Sequence, residues 1–197
     1  MKNSLMAVAA ATAASALALS LPPARALIEQ SMVWHMLVQM PLLVTTGWLG
    51  AAAFTGRGGT GWHDARRLNR FGLTGFMLAL GTMAYWMIPA TIDRAVVLPT
   101  ADLAKIGSLV IAGVALRQSF GVAPAAVQLF FAGSALPMMV WLGAYMAGTD
   151  RRLCNAYSLE SQIAAGRGLV LLAMFLGLCW GLALWQRGSG SISNARF

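Results

Sequence analysis

The chain has 197 residues, of which 58% are hydrophobic and only 10% are charged, and its mean hydropathy is +0.68. Soluble domains carry about 25% charged residues, so the composition predicts an integral membrane protein in contact with the lipid bilayer. The net charge of +8 comes from basic residues that lie mostly between apolar runs. Because no basic stripe with interleaved aromatic residues is present, nucleic acid is excluded as a partner.

The first 26 residues have the features of a targeting segment. Lys2 precedes an apolar run from Leu5 to Leu21, and residues 24–26 (Ala-Arg-Ala) fit a small-residue cleavage site. The pattern favours a cleaved signal peptide. An uncleaved signal anchor is the alternative, because a run of this length lies at the lower limit for a membrane span.

Five further apolar runs predict an all-α fold, a single bundle of five transmembrane helices, or six if the signal is retained. The runs cover residues 31–54, about 71–89, about 104–120, about 125–147 and about 166–185, and we number them spans 1 to 5. The bundle then occupies residues 27–187. The Gly/Ser-rich tail, 188–197, is predicted to be disordered.

The charges between the spans predict the orientation of the bundle. The loop after span 1 holds the strongest positive cluster beside any span. Its charged residues are Arg57, Arg66, Arg67 and Arg70 against one acid, Asp64. Because cytoplasmic loops are enriched in Lys and Arg, this loop is assigned to the cytoplasm. The sequence therefore predicts a multi-pass protein of the bacterial inner membrane, with a cytoplasmic C-terminus and with the start of span 1 on the outer side.

Span 1 carries the one histidine that lies within an apolar run, His35. Met32, Met36 and Met40 recur every four residues and so form one stripe of the helix, with His35 and Gln39 on the adjacent stripe. Polar residues within membrane spans are costly and usually serve a pathway, a ligand or a helix contact. His35 is therefore the leading candidate for a functional residue.

Methionines of two other spans are expected at the same outer level. Met83 and Met87 lie in the outer half of span 2, and Met146 ends span 4 on that side. Thioether and imidazole groups form a soft ligand set that suits Cu(I). The sequence predicts a copper site, and its proposed ligands are His35, Met36, Met32, Met40, Met83 and Met87.

Two other interpretations of His35 remain open at this stage. One is a structural hydrogen bond from His35 to another helix, with the methionines simply filling gaps in the packing. The other is contact with a ligand other than copper.

Other polar residues give weaker signals. Asp93 with Arg94, and Asp102 with Lys105, are interpreted as local ion pairs at the membrane interface rather than as a proton relay. Cys154 and Cys179 are not expected to form a disulfide. No catalytic Ser-His-Asp set or paired carboxylates are present, so we expect a protein that is not an enzyme.

Several short segments in spans 1, 4 and 5 point to one family. They are His35-Met36-Leu37 followed by Pro41-Leu42-Leu43-Val44, then Leu142-Gly143-Ala144, Tyr157, and residues 158–166 (SLESQIAAG). Together these segments resemble the multi-span CtaG type of cytochrome c oxidase assembly factor. The family has a further histidine one turn before the His-Met pair, where this chain has Ser31, and Ser161 replaces an acidic residue.

The resemblance implies a role in cytochrome c oxidase assembly, by copper delivery or as a scaffold, with an oxidase subunit as the protein partner. His35 and Met36 are the residues that match the family. The alternative is a non-catalytic accessory subunit of a membrane protein complex, in which the methionines only pack.

Overall fold

The computed structural model describes residues 2–21, 30–54 and 68–194. Its helices are α1 (Lys2–Ser20), a π-helical segment (Trp34–Gln39) that continues into α2 (Met40–Phe54), α3 (Leu73–Trp86), α4 (Pro89–Val97), α5 (Pro99–Val122), α6 (Ala125–Gly148) and α7 (Leu159–Asn194). The predicted cleavage motif and most of the loop after span 1, with Arg57, Asp64, Arg66 and Arg67, lie outside the described residues.

Four stretches of helix are long and apolar enough to cross a membrane. They are Trp34–Ala53, α5, α6 and the Leu159–Gln186 part of α7. The pair α3 and α4 passes the same test as one span bent by 77°. The predicted all-α membrane bundle with five spans is therefore confirmed.

The N-terminal helix α1 packs along α2. The hydroxyl of Thr46 donates to the backbone carbonyl of Thr12 over 3.3 Å, and Ala16 is buried in the core. Its apolar part, Ser4–Ala18, is shorter than the spans. Cleavage of this segment stays a prediction.

Pro89 produces the bend in the second span. The hydropathy predicted one span to residue 89, but α3 ends at Trp86 and a new helix starts at Pro89. The proline ring excludes the helical conformation from the residue before it, and Ile88 is accordingly extended, with φ −74° and ψ 122°. The chain therefore turns sharply at this end of the bundle.

Pro99 has the same effect on the third span. Leu98 is extended, with φ −107° and ψ 117°, and α5 begins at Pro99 rather than near residue 104. Asp102 and Lys105 therefore lie inside the first two turns of a long helix. At the other end of the chain, α7 begins earlier than predicted and extends to Asn194, into the tail for which the sequence predicted disorder.

Side-chain contacts give the relative directions of α2, α3 and α5. The contacting pairs are His35–Lys105, Trp48–Phe120, Asn69–Ser119 and Trp86–Ser108. In the first two pairs the residue numbers rise along both helices, so α2 and α5 run parallel. In the last two pairs the numbers rise on the α3 side and fall on the α5 side, so α3 runs antiparallel to α5. The hydroxyl of Ser161, at the start of α7, accepts the backbone N–H of Met32 over 2.7 Å. Residue 35 and the starts of α5 and α7 therefore share one end of the bundle, called here the His35 end.

Glycines allow two pairs of helices to touch backbone to backbone. A Cβ atom on Gly47 of α2 or on Gly113 of α5 would collide with a carbonyl oxygen of the facing helix. Between α6 and α7, a Cβ atom on Gly143 would lie 2.6 Å from the carbonyl oxygen of Gly166. Small residues are the usual means of close helix approach in membranes, and here they fix the depth of α5 against α2.

We expect Gly113→Ala to lower the free energy of unfolding by about 1–3 kcal/mol, because the added methyl group overpacks the α2–α5 contact. Gly107→Ala is the matched control, since a Cβ atom at this position of α5 meets nothing within 4 Å. It should leave the stability unchanged or raise it by up to about 1 kcal/mol through helix propensity. Unfolding in detergent micelles, followed by circular dichroism, measures both. Equal effects of the two substitutions would contradict the close crossing.

Candidate functional site

His35 lies on an irregular turn of helix. In the segment Trp34–Gln39 the backbone bonds to the residue five positions back, and the N–H of Met40 donates to the carbonyl of His35. Short π-helical turns inside α-helices are rare and occur frequently at functional sites. His35 and Gln39 are both buried, at 0% and 1% exposure.

A lysine and an aspartate of α5 complete a buried polar cluster around His35. The Lys105 ammonium lies 3.4 Å from His35 Nε2 and 2.7 Å from a carboxylate oxygen of Asp102. Lys105 is 0% exposed and Asp102 is 5% exposed. The interpretation of these two residues as an ion pair is confirmed, and both side chains are buried within the bundle. The helix starts early enough to carry the pair inward, against span 1.

The contact with Lys105 determines where the imidazole holds its proton. An ammonium group has three donors and no acceptor, so Nε2 of His35 accepts. A neutral ring that accepts at Nε2 carries its proton on Nδ1. Asp102 offsets the charge of a protonated Lys105.

Tyr157 and Gln39 add two more buried polar side chains at this end. The rings of His35 and Tyr157 have centroids 6.0 Å apart and are inclined by 59°. The side-chain oxygen of Gln39, one turn after His35, is buried and has no hydrogen-bond partner among the described residues. An acceptor left in this state costs about 1–3 kcal/mol, so the site holds an unused hydrogen-bond acceptor beside its histidine.

The connection between α6 and α7 holds Tyr157 in place. Gln162 accepts the N–H of Leu153 over 2.7 Å and donates to the carbonyl of Arg151 over 3.1 Å. Arg152 donates to the carbonyl of Tyr157 through two of its nitrogens, at 3.0 and 2.8 Å. These bonds fold the connection inward. Gln162 is itself buried, at 1% exposure.

The predicted methionines separate into two groups. Met32, Met36 and Met40 are buried in one apolar cluster that also contains Met146 and Tyr157. Met83 and Met87 are partly buried and pack on a different cluster, centred on Met139, Leu169 and Ala173. The structure thus brings together the span 1 methionines and Met146, and places Met83 and Met87 elsewhere.

The side chains at the His35 end have the chemistry to bind a soft monovalent metal ion, but the imidazole among them is occupied by its contact with Lys105. The buried thioethers of the first cluster are neutral, polarizable donors of the kind that Cu(I) prefers. The imidazole could join them only without its contact to Lys105. Among the described residues no group of three His, Cys, Asp or Glu side chains could hold a metal ion, so methionine sulfur would have to supply most of the ligands.

Cys154 is a further buried sulfur in the apolar cluster that contains Met32, Met36 and Met40. It is buried in the α6–α7 connection, with its sulfur 3.9 Å from the carbonyl oxygen of Pro89. Burial, and secondarily the charge of Asp93, raises the pKa of the Cys154 thiol from 9.0 to about 12. A metal ion would bind this sulfur as the thiolate, with release of the proton. Cys154 and Cys179 are both free, as the sequence predicted.

Lys105 and Asp102 are the functional candidates that hydropathy alone did not identify. The available signal was Pro99, which starts helices at their first turn. A helix beginning there puts the two charges three residues apart on one face. Whether that face meets lipid head groups or another helix depends on packing that the local sequence does not encode.

The ion pair should show strong coupling in a double-mutant cycle. Asp102→Asn leaves a buried ammonium alone, and Lys105→Met leaves a buried carboxylate alone, so each should lower the free energy of unfolding by about 3–5 kcal/mol. The double variant removes both charges and should lose much less than the sum. Unfolding in detergent micelles measures the three variants. Additive losses would show that the two side chains do not interact.

Because the pKa of the Cys154 thiol is raised, we expect the protein to lose stability at alkaline pH. The folded protein keeps a proton on this thiol that the unfolded chain releases above about pH 9. The free energy of unfolding therefore falls as the pH rises from about 9 to about 12. Cys154→Ala should remove it. The comparison is the difference in unfolding free energy between the two proteins at about pH 8 and at about pH 10.5. A difference that does not change between these pH values would contradict the raised pKa.

Comparison with known proteins adds no relative to this description. No protein-family model matches the chain, and no curated protein or solved structure shows a significant match. The likeness to the CtaG-type family therefore rests on the short motifs of spans 1, 4 and 5. The function has to be argued from the geometry at the His35 end.

Proposed function

We propose that the chain is a non-enzymatic membrane protein that assists cytochrome c oxidase biogenesis by offering Cu(I) a transient contact site at the His35 end. The observation that carries the proposal is the burial of His35 in the same end of the bundle as a cluster of four methionines. Copper is cargo in this proposal, not a resident cofactor.

The donor set favours transient binding over storage. Thioethers are neutral ligands, and in this cluster they come with a single imidazole. Because the Asp102–Lys105 pair is neutral overall, one monovalent cation would add only its own charge to the site. A weak site of this kind suits a protein that receives a metal ion and passes it on.

The resemblance to the CtaG type supplies the proposed destination. His35 and Met36 match its His-Met pair, and the family assembles respiratory oxidases. An oxidase subunit is the proposed partner. The positive loop after span 1 supports a location in the bacterial inner membrane, with the His35 end facing the periplasm and the C-terminus in the cytoplasm.

Titration of the purified full-length protein with Cu(I), against a competing chelator, tests the site. His35→Ala and Met36→Leu should each lower the affinity about tenfold or more, equivalent to about 1.4 kcal/mol or more. Met83→Leu is the matched control, because Met83 lies in the separate cluster. It should bind Cu(I) like the unchanged protein.

Two results would contradict this proposal. Negligible binding by the unchanged protein would favour the accessory-subunit alternative, in which the methionines only pack. Binding that survives His35→Ala would place copper elsewhere. In a strain that lacks the protein, oxidase activity should fall and recover with added copper if delivery is the role. Recovery only with the protein itself would indicate a scaffold.

A further inference from the structure

We propose that Lys105 acts as a latch on His35. Its ammonium group, held by Asp102, engages Nε2 and fixes the Nδ1–H tautomer, so that the imidazole is closed to a metal ion until the ammonium withdraws. The tautomer is inferred from the contact between Lys105 and His35 and does not depend on the proposed function. The control of metal access rests on the proposed function.

The latch consists of two contacts made by one buried group. Nζ of Lys105 lies 3.4 Å from His35 Nε2 and 2.7 Å from a carboxylate oxygen of Asp102. Lys105 is 0% exposed, so water does not replace these partners. An ammonium can only donate, and each of its bonds here is charge-assisted.

The backbone, not a flexible side chain, sets the position of the latch. Asp102 and Lys105 are three residues apart on α5 and therefore on one face of it. The glycine crossing at Gly47 and Gly113 fixes the depth of α5 against span 1. His35 and Lys105 are thus held at the same level of the bundle.

Both ring nitrogens are unavailable in this arrangement. The lone pair of Nε2 is engaged by Lys105, and Nδ1 carries the ring proton. An arriving cation would also meet the positive ammonium at short range, where a low dielectric strengthens repulsion. Opening the site therefore requires Lys105 to exchange His35 for another acceptor.

Gln39 provides a candidate for that second acceptor. Its side-chain oxygen is buried, lies one helical turn from His35 and has no hydrogen-bond partner among the described residues. An ammonium that keeps its bond to Asp102 and moves to Gln39 exchanges one acceptor for another. The open state then leaves no charge unpaired, and the Gln39 oxygen gains the bond it lacks.

Nitrogen-15 NMR of the full-length protein with labelled histidine, in lipid nanodiscs, reads the tautomer directly. The chain has two histidines, so a His63→Gln background leaves only the signal of His35. The expected result is the Nδ1–H tautomer. In D102N/K105M, which removes donor and counter-ion together, the ring should revert to the Nε2–H form that free imidazole side chains prefer. Lys105→Arg keeps a charged donor and should keep the Nδ1–H form.

An Nε2–H ring in the starting protein, or a ring unchanged in D102N/K105M, would overturn the latch. A structural defect alone would not exchange one tautomer for the other while Lys105→Arg preserves it.

Cu(I) titration tests the control of access. D102N/K105L, in which leucine adds no thioether ligand, should bind Cu(I) about tenfold more tightly or better, because a charge-assisted hydrogen bond no longer competes for the imidazole. Equal affinity of the double variant and the unchanged protein, with a loss in His35→Ala, would overturn the latch but support the copper site. No binding by any variant would overturn the proposed function and the latch's role in metal access, while the NMR result still decides the contact between Lys105 and His35.

Discussion

A lysine charge buried in an apolar bundle is the constraint on which the His35 end depends. Within a membrane no water is at hand to solvate the ammonium, so its partners must come from the protein. Asp102 supplies the opposite charge from the same helix, and His35 supplies a neutral acceptor from span 1. Toward the opposite end of the bundle, Phe76 stacks on Phe131 with ring centroids 4.4 Å apart.

The charges at the His35 end are better explained by function than by stability. A buried ion pair seldom stabilises a protein more than apolar side chains of the same volume would. Polar clusters inside membrane bundles usually mark a site that a ligand or an ion uses. Here the cluster coincides with a π-helical turn, with an unused amide oxygen and with buried thioethers. The π-helical turn and the unpaired amide oxygen each cost stability, and both lie at the same end of the bundle as the thioethers.

The spans could be predicted from the sequence because the length of an apolar run can be read without knowing which helices pack against it. His35 and its methionine stripe were found for the same reason, since a polar group in such a run is conspicuous. The burial of Lys105 was not predictable, because the same Asp-x-x-Lys pattern occurs in helices that face lipid head groups and in helices that face another helix. The face that α3 turns toward Met139 likewise decides where Met83 and Met87 lie. That rotation is set by packing between helices. Packing also sets the contacts of Gln162 with the connection between α6 and α7.

The π-helical turn at Trp34–Gln39 has a consequence for the alignment of span 1. A single π turn holds one residue more than the α-helix around it requires, which is the mark left by a one-residue insertion. Removing one residue there would restore a regular helix and rotate everything before it by about 100°. His35 would then face away from Lys105 while the apolar length of the span hardly changed. The extra residue separates a chain that merely crosses the membrane from one that turns an imidazole toward a buried charge.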